Sequence, residues 1–289
     1  MTCAIVWRVD DQIHLASDSR LTIKSSADVE VYADVGVKVM SLDIGVSDTS
    51  GHLNSIFSGT YGFCYAGRLT SAATFKNFIE EILKDMQYVG DKANITFLEI
   101  CKYIELVSSE LTDAFREQMW GKEEWEFIVC GWCPLLKTQK AASFKFVYKS
   151  GNVKATFAEV VIGNGEFVVI GQGTGEVTDA LFGQQLTTEL VLRSLYGLIQ
   201  NSDFHTVGGD IQYGTIQKES CRFYVWGIVL IWKTKHIVNG GGVEYTEIGR
   251  TYCYRGLRPL DGELMTHPLY GAVFPLGITW FELILLSNP

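Results

Sequence analysis

Long apolar runs, basic clusters and a paired cysteine framework are all missing from this sequence, and each absence removes a class of protein. The longest apolar stretches, around residues 223–232 and 278–286, are about half the ~20 residues that a membrane-spanning helix needs. The first residues, MTCAIVWRVDD, have neither the basic start nor the apolar centre of a secretory signal. Lys and Arg are outnumbered by Asp and Glu, 24 to 33, for a net charge of −9, and no basic run is long enough to grip a phosphate backbone. Neither nucleic acid nor a membrane is expected as a partner. Seven cysteines, an odd count in a chain of 289 residues, fit the reduced thiols of a cytoplasmic protein better than a disulfide framework. The five histidines, at 14, 52, 205, 236 and 267, are too scattered to propose a metal site. No cofactor is expected.

What is present is a chain rich enough in apolar residues, 47% against 20% charged, to bury a sizeable core. Strand-like runs at residues 4–8 and 13–16 flank Asp10-Asp11, which reads as a hairpin turn. Residues 37–42 and 61–66 are further strands, with the polar, Gly-rich residues 43–55 between them expected as a loop. Phe75, Phe78, Ile79, Ile82, Leu83 and Met86 then recur at helical spacing, with Thr70 or Ser71 as N-cap. A second helix is expected over about residues 96–120, with Phe97, Cys101, Ile104, Leu111 and Phe115 on one side. Strands follow at 126–132, 144–148, 156–162 and 167–170. A helix over 178–200 and strands at 211–217 and 222–232 complete the pattern. Strands, two helices, strands, helix, strands suit two sheets packed face to face with helices outside. Residues 233–289 hold four of the five prolines and stand apart from domain 1–232 as an extension for assembly or docking.

The chemistry starts at the second residue. An N-terminal threonine carries nucleophile and base together: its hydroxyl attacks a carbonyl and its own α-amine takes the proton through a water. Thr2 reaches that state once Met1 is removed, and a small second residue permits the removal. Leu15-Ala-Ser-Asp18-Ser-Arg20 follows the hairpin, and Lys38 stands in Val37-Lys-Val-Met40. A buried Lys beside a carboxylate lowers the pKa of a neighbouring hydroxyl, and Asp18 holds the ammonium in place.

In these residues the sequence resembles the β-subunits of the proteasome family, including their bacterial ATP-dependent relatives and the ancestral β-subunit proteins. There the N-terminal Thr, an Asp in an A-[AGS]-D-[ST]-R stretch and a Lys opening a K-[VI]-x-x-[LI] strand form the active site. Thr2 and Asp18 have the family's spacing. Lys38 comes four residues late, which a longer loop over residues 24–34 explains. Tyr65-Ala-Gly67 followed by Ala72, Ala73 and Phe75 is similar to the strand that feeds the family's first helix, and Gly67 would supply the oxyanion-hole N–H. Phe127-Ile-Val-Cys-Gly-Trp132 is similar to its central strand, Ile170-Gly-Gln-Gly-Thr174 to its G-S-G-S turn, and Asp203 with Gly208-Gly209 to its closing D-x-x-S-G-G motif. The likeness covers about residues 2–225. It has two departures: Gln172 stands where the family has a serine, and Thr206 stands where another is expected, with one extra residue around Asp203.

Rival chemistries fit less well. Cys130-Gly-Trp-Cys133 ends a strand and runs into Pro134, whereas a thioredoxin-like pair opens a helix. The glycines at 171, 173 and 175 lack the Gly-Lys-[Ser/Thr] ending of a phosphate loop and the spacing of a dinucleotide fingerprint. Cys3 serves as nucleophile only if Thr2 is also removed.

What the resemblance implies is an α+β protein with the four-layer αββα sandwich of the N-terminal nucleophile (Ntn) hydrolases. It further implies a self-compartmentalising ring or helical homo-oligomer that cleaves polypeptides as a threonine peptidase, with an ATPase unfoldase as a possible partner. The site would comprise Thr2, Asp18, Lys38 and Gly67, supported by Arg20, Gln172, Asp203 and Thr206. A small-molecule amidohydrolase of the same fold and a non-catalytic assembly subunit are the alternatives.

Overall fold

The computed structural model describes residues 2–24, 29–34, 36–49, 55–67, 69–89, 94–115, 125–149, 152–201, 203–217, 220–224, 226–238 and 242–256. Strands β1 (Cys3–Val9) and β2 (Gln12–Ser17) open the chain as a hairpin. Asp10 and Asp11 turn it with φ of 52° and 59°, both in the left-handed region that a two-residue hairpin turn requires and Asp tolerates. A second hairpin joins β3 (Leu21–Lys24) to β4 (Val29–Ala33). It occupies much of the stretch expected as an extended loop, so the late arrival of Lys38 reflects paired strands.

Strand β5 (Val39–Asp48) pairs antiparallel with β6 (Ser55–Ala66), and this corrects the loop expected from residue 43. Leu42, Ile44 and Val46 enter the core while Asp43, Gly45 and Ser47 alternate with them, so a strand buried on one face was read as polar throughout. Gly45 is bare because a Cβ there would collide with the Lys84 carbonyl. Helix α1 (Leu69–Lys84) follows, then a short strand β7 (Met86–Tyr88) that runs parallel to β5, and helix α2 (Phe97–Phe115). Helix α1 already includes Thr70 and Ser71, the expected caps, and Phe78 is 44% exposed rather than on the buried face. Residues 116–120, expected to continue the second helix, lie outside the described residues.

Strands β8 (Glu126–Cys133), β9 (Thr138–Lys149), β10 (Asn152–Val160) and β11 (Phe167–Gly171) come next. The single helix expected over 178–200 is two, α3 (Thr174–Leu181) and α4 (Thr188–Gln200). Gly183, at φ 71°, breaks the run just past α3, and the Thr187 side chain caps α4 by accepting from Leu190 N–H at 3.1 Å. Strands β12 (Gln212–Gln217) and β13 (Ser220–Tyr224) close the larger assembly, and β14 (Trp226–Val238) pairs with β15 (Gly242–Gly256) as a separate ribbon. The boundary expected after Trp232 falls inside β14. The apolar stretch at 278–286 lies outside the described residues.

Two sheets dominate: a five-stranded one in the order β11-β1-β2-β12-β13 and a six-stranded one in the order β10-β9-β8-β6-β5-β7. Ala4, Val6, Ile13 and Leu15 of the first meet Cys64, Ala66, Ile128 and Cys130 of the second in one core. The alternate residues of β1, Cys3, Ile5 and Trp7, form a second core with Val177 and Leu181 of α3 and Val191, Leu192 and Leu195 of α4. The outer face of the larger sheet, with Phe63, Tyr65, Phe127 and Val129, packs on Phe75, Ile79, Ile100 and Ile104 of the other two helices. Period-2 alternation thus sends every second residue of a strand into a different core. Cys130 and Cys133 therefore sit on opposite faces of β8, one in each core and neither in a disulfide, which is incompatible with a redox pair. No helix among the described residues is long and apolar enough to cross a membrane.

His14 packs in a three-ring cluster with Trp7 and Tyr213, ring centroids 5.2 and 5.9 Å away, with its Nδ1 2.7 Å from the Tyr213 hydroxyl. Burial pushes its imidazolium down to about 4, so the folded protein takes up this proton at lower pH than the unfolded chain. Stability should therefore fall as the pH drops from about 6.5 to about 4, by about 3 kcal/mol in all. Urea titrations across that range should show the loss, and His14→Phe, which keeps the ring stack, should flatten it.

Candidate active site

The β1–β2 hairpin carries both Thr2 and Asp18. Ala4 faces Ser17 in the ladder, so Cys3 and Asp18, one step further on, are neighbours. Asp18 Oδ1 accepts the Cys3 N–H at 3.0 Å, and the Asp18 N–H returns to the Cys3 carbonyl at 3.3 Å. The Ser17 hydroxyl donates to that carbonyl at 3.0 Å. Asp18 Oδ2 accepts from the Lys38 ammonium at 2.9 Å, the Arg20 N–H at 3.1 Å and the Gly208 N–H at 3.0 Å. Both members of the ion pair are buried, Asp18 at 0% exposure and Lys38 at 1%.

Burial penalises the Lys38 ammonium more than Asp18 rewards it, and Arg20 adds repulsion, so its pKa is lowered. A lysine in that state yields a proton more easily than a surface lysine does. Burial, then the nearby Asp18 carboxylate, holds the Cys3 thiol well above the usual range. Its side chain lies in the core beneath α3 and α4. Cys3 is an inert thiol here.

Thr2 is buried, and its carbonyl accepts the Gln172 N–H at 2.9 Å. Gly171, at φ 89°, makes that contact possible: a Cβ there would collide with the Thr2 carbonyl oxygen and press on the Ala66 Cβ. Thr2, Ala66 and Gly171 therefore converge. Gly67 follows directly at the end of β6 with φ 130°, a backbone state that side-chain-bearing residues rarely adopt. The four expected site residues come from the start of β1, the end of β2, the entry to β5 and the end of β6.

The supporting residues divide. Arg20 reaches the site through its main chain, while its guanidinium grips Asp34 with two bonds of 2.7 and 3.0 Å. Gln172 and Thr206 meet each other: the Thr206 hydroxyl donates to Gln172 Oε1. Asp203 stands apart. It is exposed, and its N–H donates to Asn201 Oδ1 at 3.0 Å. From the same loop it is Gly208 whose N–H stands against Asp18.

Several residues of the cluster were not foreseen. Glu126 Oε1 accepts the Gly171 N–H at 3.0 Å and so braces the turn under Thr2. The Ser19 hydroxyl accepts from the Asp210 N–H and donates to the Asp34 carbonyl, both at 2.8 Å. Gln212, at 0% exposure, holds the main chain around Lys38. A buried glutamine near a Gly-Gly turn was the available sequence signal, but nothing local shows that its partners lie far away. Among the described residues no group of three His, Cys, Asp or Glu side chains forms a metal site.

No family model matches the sequence, and no curated protein matches it. Among solved structures the chain is similar to an Anbu (Gly-1) mutant from Hyphomicrobium sp. strain MC1, with a TM-score of 0.50 at 14% identity, covering 88% of this chain and 87% of that one. It is also similar to Anbu (ancestral beta-subunit) from Yersinia bercovieri, with a TM-score of 0.48 at 14% identity over 74% and 81% of the two chains. The chain has an Anbu-like fold. At that identity the first of these likenesses concerns architecture, and the chemistry has to be argued from the cluster itself.

The cluster makes an asymmetric prediction. After Lys38→Met, Asp18 keeps three N–H donors, so the loss should be near the low end for a broken buried pair, about 3 kcal/mol. After Asp18→Asn the Lys38 ammonium loses its ion-pair partner and the three N–H groups lose a charged acceptor, so the loss should be larger. Denaturant titration of both variants checks the order.

Proposed function

We propose that the chain is a threonine-type peptidase whose nucleophile is Thr2, exposed as the N-terminus when Met1 is removed. One observation carries the proposal. A fully buried carboxylate, Asp18, binds both the Lys38 ammonium and the N–H of the peptide bond joining Thr2 to Cys3. Such an arrangement is costly for structure alone, because burying a charge pair gives little net stability. It makes sense where a positive charge with a lowered pKa has to stand beside a hydroxyl nucleophile.

In the proposed reaction the Thr2 hydroxyl adds to an amide carbon, and the free α-amine takes its proton through a water. The Gly67 N–H stabilises the oxyanion, the amine of the cleaved bond departs with the proton, and water then hydrolyses the ester to regenerate Thr2. Gln172 and Thr206 replace the expected serines with a carboxamide accepting from a hydroxyl, which anchors the turn beside Thr2 and keeps one hydroxyl nearby. The sequence of cores, with one between the sheets and one under each pair of helices, supports the four-layer αββα architecture of this hydrolase class. Self-assembly into a closed or helical oligomer, polypeptide substrates, an ATPase partner and a docking role for residues 233–289 belong to the same proposal. The likeness of fold to an Anbu structure supports the self-assembly alone.

The intact mass of the purified protein should correspond to a chain that begins at Thr2. An electrophile selective for N-terminal threonine should add one equivalent and abolish peptide hydrolysis. Thr2→Ala should lose hydrolysis by at least ~1,000-fold, the scale expected for a missing nucleophile, while thermal stability and oligomer size stay as in the parent. A fully active protein that retains Met1 would overturn the assignment. Hydrolysis of small amides but not of peptides would favour the amidohydrolase alternative.

A further inference from the structure

Lys38 lies just ahead of β5, in the larger sheet, whereas the segment after Gly208 leads into β12, in the smaller one. The side chain of Gln212 crosses between them. Its Oε1 accepts the main-chain N–H groups of Lys38 at 2.7 Å and Val39 at 3.0 Å, and its Nε2 donates to the Gly36 carbonyl. All three contacts are buried, and Gln212 has no exposed surface. Both members of the ion pair are thus gripped from one short stretch: Gly208 N–H binds Asp18, Asp210 N–H binds Ser19 beside it, and Gln212 binds the backbone that carries Lys38.

We propose that Gln212 is a positioning residue that sets the height of Lys38 against Asp18 and Thr2 by clamping residues 36–39 to β12. The proposal rests on the reading of Thr2 and Lys38 as catalytic partners. The physical case is one of geometry. A lysine side chain has four rotatable bonds and no intrinsic reason to stop at one place, and its main chain here precedes a strand rather than lying within it. Three directed hydrogen bonds to one carboxamide fix the main chain from which that side chain starts, and the Asp18 carboxylate then holds its far end. A carboxamide is also the group required, since it is both an acceptor for two N–H groups and a donor to one carbonyl. Leucine, methionine or glutamate at 212 leaves at least one buried main-chain group unpaired.

Gln212→Met tests this in the full chain, with two readouts. The first is hydrolysis of a peptide substrate. The variant should lose about tenfold or more in kcat, as a misplaced catalytic group does, with KM nearly unchanged. The pH dependence of kcat/KM should move, because Lys38 would sit differently among the groups that face it, which are Asp18, Cys3 and Arg20, with Tyr65 close to Asp18. The second readout needs no catalysis: acylation of lysine amines by an anhydride, mapped by mass spectrometry. Lys38 should be protected in the parent and label several-fold faster in the variant, while Lys140, paired with Glu159, labels at the parent rate. If Gln212→Met does not fold, Gln212→Asn keeps an uncharged carboxamide drawn back by one methylene, out of reach of some of its partners, and the same two shifts are expected in smaller degree. A folded variant in which Lys38 stays protected and the pH profile is unmoved overturns the role of Gln212. A parent without peptidase activity overturns the proposed function instead, and the labelling still judges Gln212.

Discussion

Asp18 places a carboxylate where no water reaches it, and much of the surrounding architecture follows from the need to satisfy it. A buried carboxylate must be met by donors at every lone pair or its desolvation goes uncompensated. Here the donors come from four places in the chain: the Cys3, Arg20 and Gly208 amides and the Lys38 ammonium. Each demand propagates. Cys3 has to be the first residue of a strand paired with the strand that ends before Asp18. A Cβ at 208 would run into the Arg20 guanidinium, so a side chain there would push the end of Arg20 aside. Lys38 has to be delivered from the other sheet.

That delivery explains why the two sheets meet at this end of the molecule. Strand β1 is buried on both faces, one side against the larger sheet and the other against α3 and α4, so the residue just ahead of it has little freedom. The turn under Thr2 is held by the Gln172 N–H on the Thr2 carbonyl and by Glu126 on the Gly171 N–H. The glycines at 67 and 171 adopt backbone states that other residues avoid, and both lie where chains approach Thr2. A group held in this way from several rigid strands is preorganised, and preorganised dipoles and charges are what acyl-transfer chemistry requires. The single-residue departures from the expected pattern, Gln172 and Thr206, keep to the same logic, since they bond to each other rather than leave polar atoms unpaired.

Much of this was legible in the residue order. The hairpin at Asp10-Asp11, the strands flanking it, both early helices and the pairing of Asp18 with Lys38 follow from alternation, helical periodicity, turn chemistry and motif spacing. Each of these is carried by residues close together or by a familiar register. The differences from the residue order have separate causes. Residues 43–48 looked like a loop because only one face of that strand is apolar. The helix over 178–200 looked continuous because the Phe182–Thr187 interruption keeps some helical spacing on either side. Asp203 matches the motif by residue type, and it stands exposed with its N–H on Asn201 rather than against Asp18.

Local sequence thus determined most of the strands and helices, and it put Asp18 and Lys38 in a register from which they pair. It left open what holds them there. Gln212 and Lys38 are 174 positions apart, and Gly208 and Asp18 are 190 apart. No periodicity or propensity spans such distances, because those properties act over a few residues along the chain. Only the packing of one sheet on the other brings these groups within bonding range, and there the need to pair every buried polar atom selects a carboxamide at 212 and a main-chain N–H at 208.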